Sequence, residues 1–540
     1  MIAVPKENMS LPKRRPLAVT IVTLACCLLL LAASYKRGIE RGLSTAIEYG
    51  PFSFQIQLAC AITDSVYRFN LGYACATQVY KKLVEIQTGG DDSENAIPRL
   101  HNGALINRSI AEASNLGPLT PGTFDTGQLM TPYYNDLGMV DFIRLGFWLF
   151  GPTIESLYKL FFALLAVSTL AFVLAFSGNV PVSLAAIAIT FSFFAEINSN
   201  LFSPLMPAVY SIRYPSVLAV IPALHLALLV AWGGRPTFAA VIFSAIQVAI
   251  LLFAMTIRFA AIWGFVTILA VAAVMGLCAV VTEKRQAADW PRAVTAGGKK
   301  ALCWPVILLV TVAILHGVFM RNMLHPVYDT DEALAGHVTW HSWFQNYAWF
   351  DPEAMKLSGL SGAAAQGDDI SWQAARLYAE RTHLVKDPAS LYATLTKFGT
   401  RIVLHDKLMR RVFLGYVMQH PLRALEVYLF AKPADLVQKF WAARAAFPRW
   451  VVLAGFGLTA LVSACLFILP WNIAEGASVM LIVVGMGLVS ALPMIAGAPD
   501  LVYLGDMLIV WPTAFYLGVP MGMALLIARV SPSLITAANA

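Results

Sequence analysis

The sequence predicts an all-α polytopic membrane protein of about ten transmembrane helices with two large, mainly helical extracytoplasmic caps. Three observations carry this. Of 540 residues, 58% are hydrophobic and only 13% are charged, whereas soluble domains are about a quarter charged. Apolar runs of spanning length, which need about 20 residues, recur along the chain. The basic residues sit in clusters beside those runs, as in cytoplasmic membrane loops. The net charge of +7 therefore reflects topology. No soluble basic patch interleaved with aromatics points to nucleic acid, which is excluded as a partner.

Five parts follow: 1–34, a basic tail and first span; 35–156, the first cap; 157–320, a bundle; 321–450, the second cap; and 451–540, the last spans. Leu17 to Ala33 is the first apolar run. Lys13, Arg14 and Arg15 precede it and Ala32-Ala33-Ser34 resembles a cleavage site, so a signal peptide is the alternative. A retained helix is the simpler reading in a chain that is itself membrane-embedded. The first cap opens with mildly apolar sequence at helical spacing, Ile39 to Val84, suited to helices lying on the membrane surface. Loop-like stretches follow, GGDDSEN at Gly89–Asn95 and Asn115 to Gly127.

Spans are expected near Leu157–Ser177, Val182–Ile197, Val217–Trp232, Phe238–Ile257 and Ala260–Val281. A basic linker carries Lys284, Arg285, Arg292, Lys299 and Lys300, and Leu302–Met320 is the next span. After the second cap come Val451–Leu469, Ala477–Ala496 and Leu508–Ile527. Alternation with the N-terminus inside puts Lys13 to Arg15, Arg235, the basic linker and Arg529 on the cytoplasmic side, as the positive-inside rule requires. Lys36, Arg37 and Arg41 fall on the wrong side. The location implied is a bacterial inner (plasma) membrane, multi-pass, with both termini cytoplasmic. Within the second cap, Leu404 to Lys432 reads as amphipathic helices broken at Pro421 and resting on the membrane surface.

Seven cysteines are too few for a disulfide scaffold. Cys26, Cys27, Cys278, Cys303 and Cys465 read as small buried hydrophobes. Cys60 and Cys75, both in the first cap, can pair if that cap is extracytoplasmic, or stay as free thiols. No Cys/His spacing suggests zinc. His337 and His341 share a helical face at i, i+4, but HVTWH lacks the glutamate of HExxH. No metal site is assigned, and a divalent cation stays open as a cofactor. The aromatic run around Trp340 and Trp349 suits a sugar or lipid groove, or an interface belt. Asp368-Asp369 reads as a solvated loop. His225 and His316 lie inside spans and read as bonded to a neighbouring helix.

The ionisable groups expected at the outer face are Asp136, Asp141, Glu196, Arg213, Arg258, Asp500 and Asp506. Charge within a membrane is costly and faces a cavity or a partner. Arginine forks a phosphate with two hydrogen bonds, and a carboxylate within reach takes a proton from an attacking hydroxyl. Asp136 and Asp141 are the candidate bases, Arg258 and Arg213 the candidate phosphate holders. The alternative for each is an ordinary helix-end charge among headgroups.

One span, a long outer segment, then Pro132-Tyr133-Tyr134-Asn135-Asp136-Leu137-Gly138 and Leu149-Phe150-Gly151 running into closely spaced spans: this layout resembles the GT-C superfamily of integral-membrane glycosyltransferases. The resemblance implies transfer of a sugar from a polyprenyl-phosphate donor to a lipid, glycan or protein acceptor outside the cytoplasm. It implies a carboxylate base from the first outer loop and Arg or Lys from later loops on the donor phosphate. The acidic pair usual after the first span is replaced by isolated Glu40 and Glu48, so these two stay open beside Asp136 and Asp141. GHVTWHSWF and YVMQHPLRALEVYLFAKP are similar to segments of bacterial multi-span proteins without an assigned activity. The expected partners are the polyprenyl-phosphate sugar donor and membrane lipids. Alternatives are a lipid or polysaccharide transporter or flippase, a non-catalytic envelope assembly protein, and an O-antigen-type polymer ligase using His341 with Arg423.

Overall fold

The computed structural model describes residues 17–44, 57–62, 79, 82–83, 85–86, 103–116, 137–198, 215–287, 289–323, 339–360, 369–386, 398–445, 447–497 and 505–530. Among these residues every regular element is helical. Eight helices are long and apolar enough to cross a membrane, and the chain is an integral, multi-pass membrane protein. They are α1 (Leu17–Ser44), and, after α2 (Gly103–Ser114) and α3 (Leu137–Phe150), α4 (Ile154–Ala175) and α5 (Val180–Asn198). After α6 (Val220–Trp232) come α7 (Phe238–Ile257) and α8 (Ile262–Ala287, entered through a 3₁₀ turn at Phe259–Ala261). The last three are α17 (Arg449–Ile468), α18 (Ile473–Ala496) and α19 (Gly505–Val530).

The two remaining expected runs take other forms. The Leu302–Met320 run is the longer arm of a pair, α9 (Trp290–Ala301) and α10 (Trp304–Met323), bent by 60°. The Val217–Trp232 run is a 3₁₀ turn, Pro215–Ala219, leading into the shorter α6. Burial explains how α6 can be short: its residues are covered nearly all round, as expected of a helix that is apolar on every face. α5 is likewise central, with 89% of its span buried against 28% for α1, α8 and α17. Gly233 closes α6 in the left-handed region (φ 65°), donating its N–H to the Leu229 carbonyl, a conformation glycine adopts without strain.

α1 runs past the end of its apolar sequence. Charged residues of good helix propensity continue it to Ser44. Arg37 pairs with Glu40 at 3.3 Å, and Arg41 donates to the Ile197 carbonyl at the end of α5 at 2.9 Å. The misplaced basic residues Arg37 and Arg41 thus have local partners. Of the cysteines read as buried, only Cys27 is fully so. Cys278 is exposed on α8, because a lipid-facing surface accepts the same residues as the core. Cys60 is disulfide-bonded and its would-be partner Cys75 lies outside the described residues.

Polar contacts sort the helix ends. At one end Thr20 meets Ser177 at 2.8 Å, Asn179 donates to Glu475 at 2.7 Å, and Trp304 donates to the Gly234 carbonyl at 2.9 Å. At the other end lie Arg41 on Ile197 and Trp263 on Asp506 (2.9 Å). Here too Asn107 of α2 accepts from the Ile154 N–H (2.8 Å) and donates to Glu155 (2.9 Å). That side chain satisfies an otherwise orphan donor of α4's first turn.

The second long segment builds its own core from α11 (Thr339–Ala348), α12 (Pro352–Lys356), α13 (Asp369–Thr382) and α14 (Phe398–Gln419), around Phe344, Tyr347, Ile370 and Met409. The break expected at Pro421 is present: α15 (Pro421–Glu426) starts there, a π turn at Val427–Ala431 follows, and α16 (Lys432–Ala445) returns to the bundle. Met418, Leu422, Leu425, Leu429, Val437 and Trp441 are exposed at helical spacing along this run, which suits an interfacial helix.

Lys432 anchors that return. Fully buried, it donates to the Ile495 and Gly497 carbonyls at the end of α18, at 3.0 and 3.1 Å. Burial pushes its pKa down to about 7. The orphan carbonyls at the negative end of α18 offset that cost. Lys432→Met should therefore leave those carbonyls unpaired and lower stability by about 1–3 kcal/mol, read as a lower thermal midpoint in detergent. The half-buried Lys439, paired with Asp435 at 2.9 Å, should tolerate Met with little change. Equal midpoints for Lys432→Met and wild type would remove Lys432 as the anchor.

A candidate functional site at one end of the bundle

Of the four residues singled out from sequence, Asp136 and Arg213 lie outside the described residues. Asp141 and Arg258 are brought to the same end of the bundle. Gly138, in the first turn of α3, lies directly on the backbone of Thr256 and Ile257 at the end of α7, where a Cβ would have no room. Arg258 follows as the residue closing α7, its N–H on the Ala254 carbonyl at 2.9 Å. Asp141, one turn on from Gly138, pairs with Arg144 at 3.3 Å. Both side chains are partly exposed, 33% and 21%, enough for water or a substrate to reach the carboxylate. Glu40, a further candidate base, is held in its exposed pair with Arg37; Glu48 lies outside the described residues.

A second group at this end is far more deeply buried. Glu196, on the last turn of α5, is 2% exposed, and neither carboxylate oxygen has a hydrogen-bond partner. Arg444, near the end of α16, faces it electrostatically. Its Nη2 donates to the Leu508 carbonyl at 2.6 Å, while its Nε is buried without a partner. Phe440 and Phe447 lie 5.1 and 4.5 Å from the guanidinium, within cation–π range. Asp506, expected in a loop, instead opens α19 and is buried. Its Oδ2 accepts from the Trp263 indole, and its Oδ1 is unpartnered. Asp500 lies outside the described residues.

The second segment holds two more clusters. His341 Nδ1 and His405 Nε2 share a hydrogen bond of 2.8 Å, and Trp372 stacks on the His405 ring at 3.8 Å. Asp406 accepts from the Trp340 and His341 amides at 2.9 and 3.2 Å, capping the start of α11. Burial, and then His341, holds His405 well below the ordinary histidine range; burial also raises Asp406. Asp351 is the other hub. Fully buried, it accepts from the Tyr347 and Tyr416 hydroxyls at 3.0 and 2.8 Å, with Arg423 3.7 Å away. Burial and the Asp351 charge raise both phenols. Arg423 binds Glu426 at 2.6 Å, so His341 and Arg423 stand on separate networks. His337 and Asp368 lie outside the described residues, and Asp369 opens α13. No group of three metal-ligating side chains is found among the described residues.

His225, expected to bond a neighbouring helix, is fully buried with both ring nitrogens unpartnered, against Phe172 and Phe176. Arg444, Lys432, His405 and Asp351 were not found from sequence. The available signal was an arginine among apolar residues, FWAARAAF, just before a span. Compared with protein-family models, curated proteins and solved structures, the chain matches none.

His405 gives a pH prediction. Its folded pKa lies below the ordinary 6.5, so below about pH 6.5 the unfolded chain takes up a proton that the folded chain refuses. Stability is then lost as pH falls, approaching about 1.4 kcal/mol per unit. Hydrogen exchange of α11 and α14 amides, corrected for intrinsic rates, should accelerate from pH 7.5 to 5.0. His405→Gln should flatten that dependence; an unchanged slope would assign it to another group.

Proposed function

We propose that the protein is a glycosyltransferase that moves a sugar from a polyprenyl-phosphate donor to an extracytoplasmic lipid, glycan or protein acceptor. The observation that carries this reading is the seating of Gly138 on the Thr256–Ile257 backbone. It holds an accessible carboxylate, Asp141, and a guanidinium, Arg258, at the same end of an apolar bundle. In the reaction, Asp141 takes the proton of the acceptor hydroxyl. The acceptor oxygen bonds to the anomeric carbon as the bond from that carbon to the phosphate oxygen breaks. The electron pair leaves with the polyprenyl phosphate, whose charge Arg258 balances. Asp136 and Arg213 are proposed for the same two roles from sequence alone.

The membrane is proposed to be a bacterial inner membrane, with both termini cytoplasmic and the two long segments as extracytoplasmic caps. Supporting this are the basic linker of Lys284 to Lys300 and the disulfide at Cys60, a bond that persists in oxidising compartments.

The test uses purified full-length protein in nanodiscs with a panel of labelled polyprenyl-phosphate sugars. Wild type should transfer label. Asp141→Asn should lower the rate at least a hundredfold, in keeping with general-base loss, while Arg258→Ala should raise the donor KM as well as lower kcat. Full activity in both Asp141→Asn and Asp136→Asn would end the base assignment. No turnover of any donor by wild type would favour the transporter or assembly reading.

A further inference from the structure

α3 is too short to cross a bilayer, and its contacts lay it across the end of the bundle. Gly138, in its first turn, rests on Thr256 and Ile257 at the end of α7. Gly146, two turns on, rests on Ser156 and Leu157 in the first turn of α4. Phe142 between them meets Phe253 of α7, ring centroids 6.2 Å apart. α4 and α7 run in opposite directions and are joined at Ser168 and Gln247, a common level from which to measure. Thr256 and Ile257 follow Gln247 by nine and ten residues, and Ser156 and Leu157 precede Ser168 by twelve and eleven. At about 1.5 Å per residue, the two contacts stand roughly 14 and 17 Å above that level. Gly138 and Gly146 are roughly 12 Å apart along α3 by the same measure, so the helix rises about 3 Å and is inclined by only about 15° to the membrane plane. The middle of α4 falls between Leu164 and Leu165, about 5 Å above Ser168. α3 therefore lies roughly 9–12 Å from the middle of that span, within a hydrocarbon half-thickness of about 15 Å.

Polarity changes from one end of α3 to the other. Asp141 and its partner Arg144 belong to the earlier part. Past Gly146 come Trp148, 80% exposed, and Leu149 and Phe150, also exposed. Gly151 then reverses the chain at φ 93°, its N–H on the Phe147 carbonyl at 2.9 Å, a conformation that favours glycine. Three successive helical residues point about 100° apart, so one flat partner surface cannot cover them all. A surrounding that is apolar on every side can. α4, which follows directly, turns Val167, Leu170 and Leu174 outward in the same way, and Trp is at home where acyl chains meet headgroups. We propose that α3 is an interfacial helix whose Trp148-Leu149-Phe150 end docks among the phospholipids of the leaflet at this end of the bundle. Anchored so, it holds Asp141, seven residues before Trp148 and on the same side of the helix, near the headgroup boundary. The contact requires no transfer chemistry and is independent of the glycosyl-transfer reading.

The test is photocrosslinking to lipid. Full-length protein with Trp148→p-benzoylphenylalanine is placed in nanodiscs of phosphatidylethanolamine and phosphatidylglycerol, irradiated and weighed intact by mass spectrometry. The same substitution at Leu170, on the outward side of α4, is the lipid-facing reference, and at Glu353, exposed on α12, the reference away from the spans. The Trp148 variant should gain the mass of one phospholipid in a yield close to that at Leu170 and well above that at Glu353. Phe150→p-benzoylphenylalanine should repeat the result, and it decides alone if the Trp148 variant is not recovered folded. With the Leu170 reference positive, yields at Trp148 and Phe150 no higher than at Glu353 overturn the proposal. A crosslink from these positions to a second copy of the chain, in place of phospholipid, overturns it too and makes this end of α3 a contact between copies.

Discussion

Inside a bilayer no water completes a hydrogen bond, so each polar group must find its partner within the protein. The bundle is organised by that constraint. Ser168 and Gln247 join α4 to α7 reciprocally, the hydroxyl donating at 2.7 Å and the amide returning a bond to the Ser168 carbonyl at 2.8 Å. Thr169, Thr190, Ser192, Thr267 and Thr513 turn their hydroxyls back onto carbonyls one turn earlier. These residues allow α5 to be surrounded by other helices while carrying a polar side chain on almost every turn. Glu196 and Asp506 depart from the rule, and with them Arg444, which packs against the end of α19.

The same constraint explains how the second segment is tied down. α16 carries two cations into the bundle's end, Lys432 onto the last carbonyls of α18 and Arg444 onto the Leu508 carbonyl of α19. Each cation meets backbone oxygens that have no helical partner of their own or can accept a second bond. Leu436 packs with Ala491, Met494 and Leu508 beneath them. The position of α16, and through it of the separate core around Asp351, is thus coupled to two spans by charged contacts in a dry setting. Such contacts are directional in a way that lipid-facing packing is not.

Much of the architecture was legible in the sequence because lipid imposes a length and a polarity that a run of residues either meets or fails. The break at Pro421 and nearly all the long spans were readable on those terms. The short α6 was readable as apolar, but not as a central helix, because Leu and Val serve a lipid face and a core equally well. Charge partners were not legible. Arg444 and Glu196 are 248 residues apart in number, and only the return of α16 to the bundle's end brings them near each other. Asp506 read as a loop residue because Gly505 and a carboxylate just ahead of an apolar run look like the end of a connection. His341 was visible as half of an i, i+4 pair, while its partner in the fold, His405, lies on another helix.

Where the unsatisfied groups fall bears on which kind of protein this is. A transporter carries its substrate through the midplane and needs polar groups or broken helices there. Glu196, Asp506 and His225 are titratable groups of the bundle's apolar helices that carry at least one unpartnered polar atom. The first two stand at the same end as Asp141 and Arg258. His225 alone is deep, enclosed by Phe172 and Phe176, where a neutral imidazole can sit without a charge to balance. The 60° bend between α9 and α10 falls at the opposite end, beside Gly234, far from these carboxylates. The proposed transferase would need its polar groups at one end, where a headgroup reaches them from the membrane surface while its chain stays in lipid. Midplane passage, which needs polar groups or broken helices at the centre of the bundle, is not what this placement provides for among the described residues.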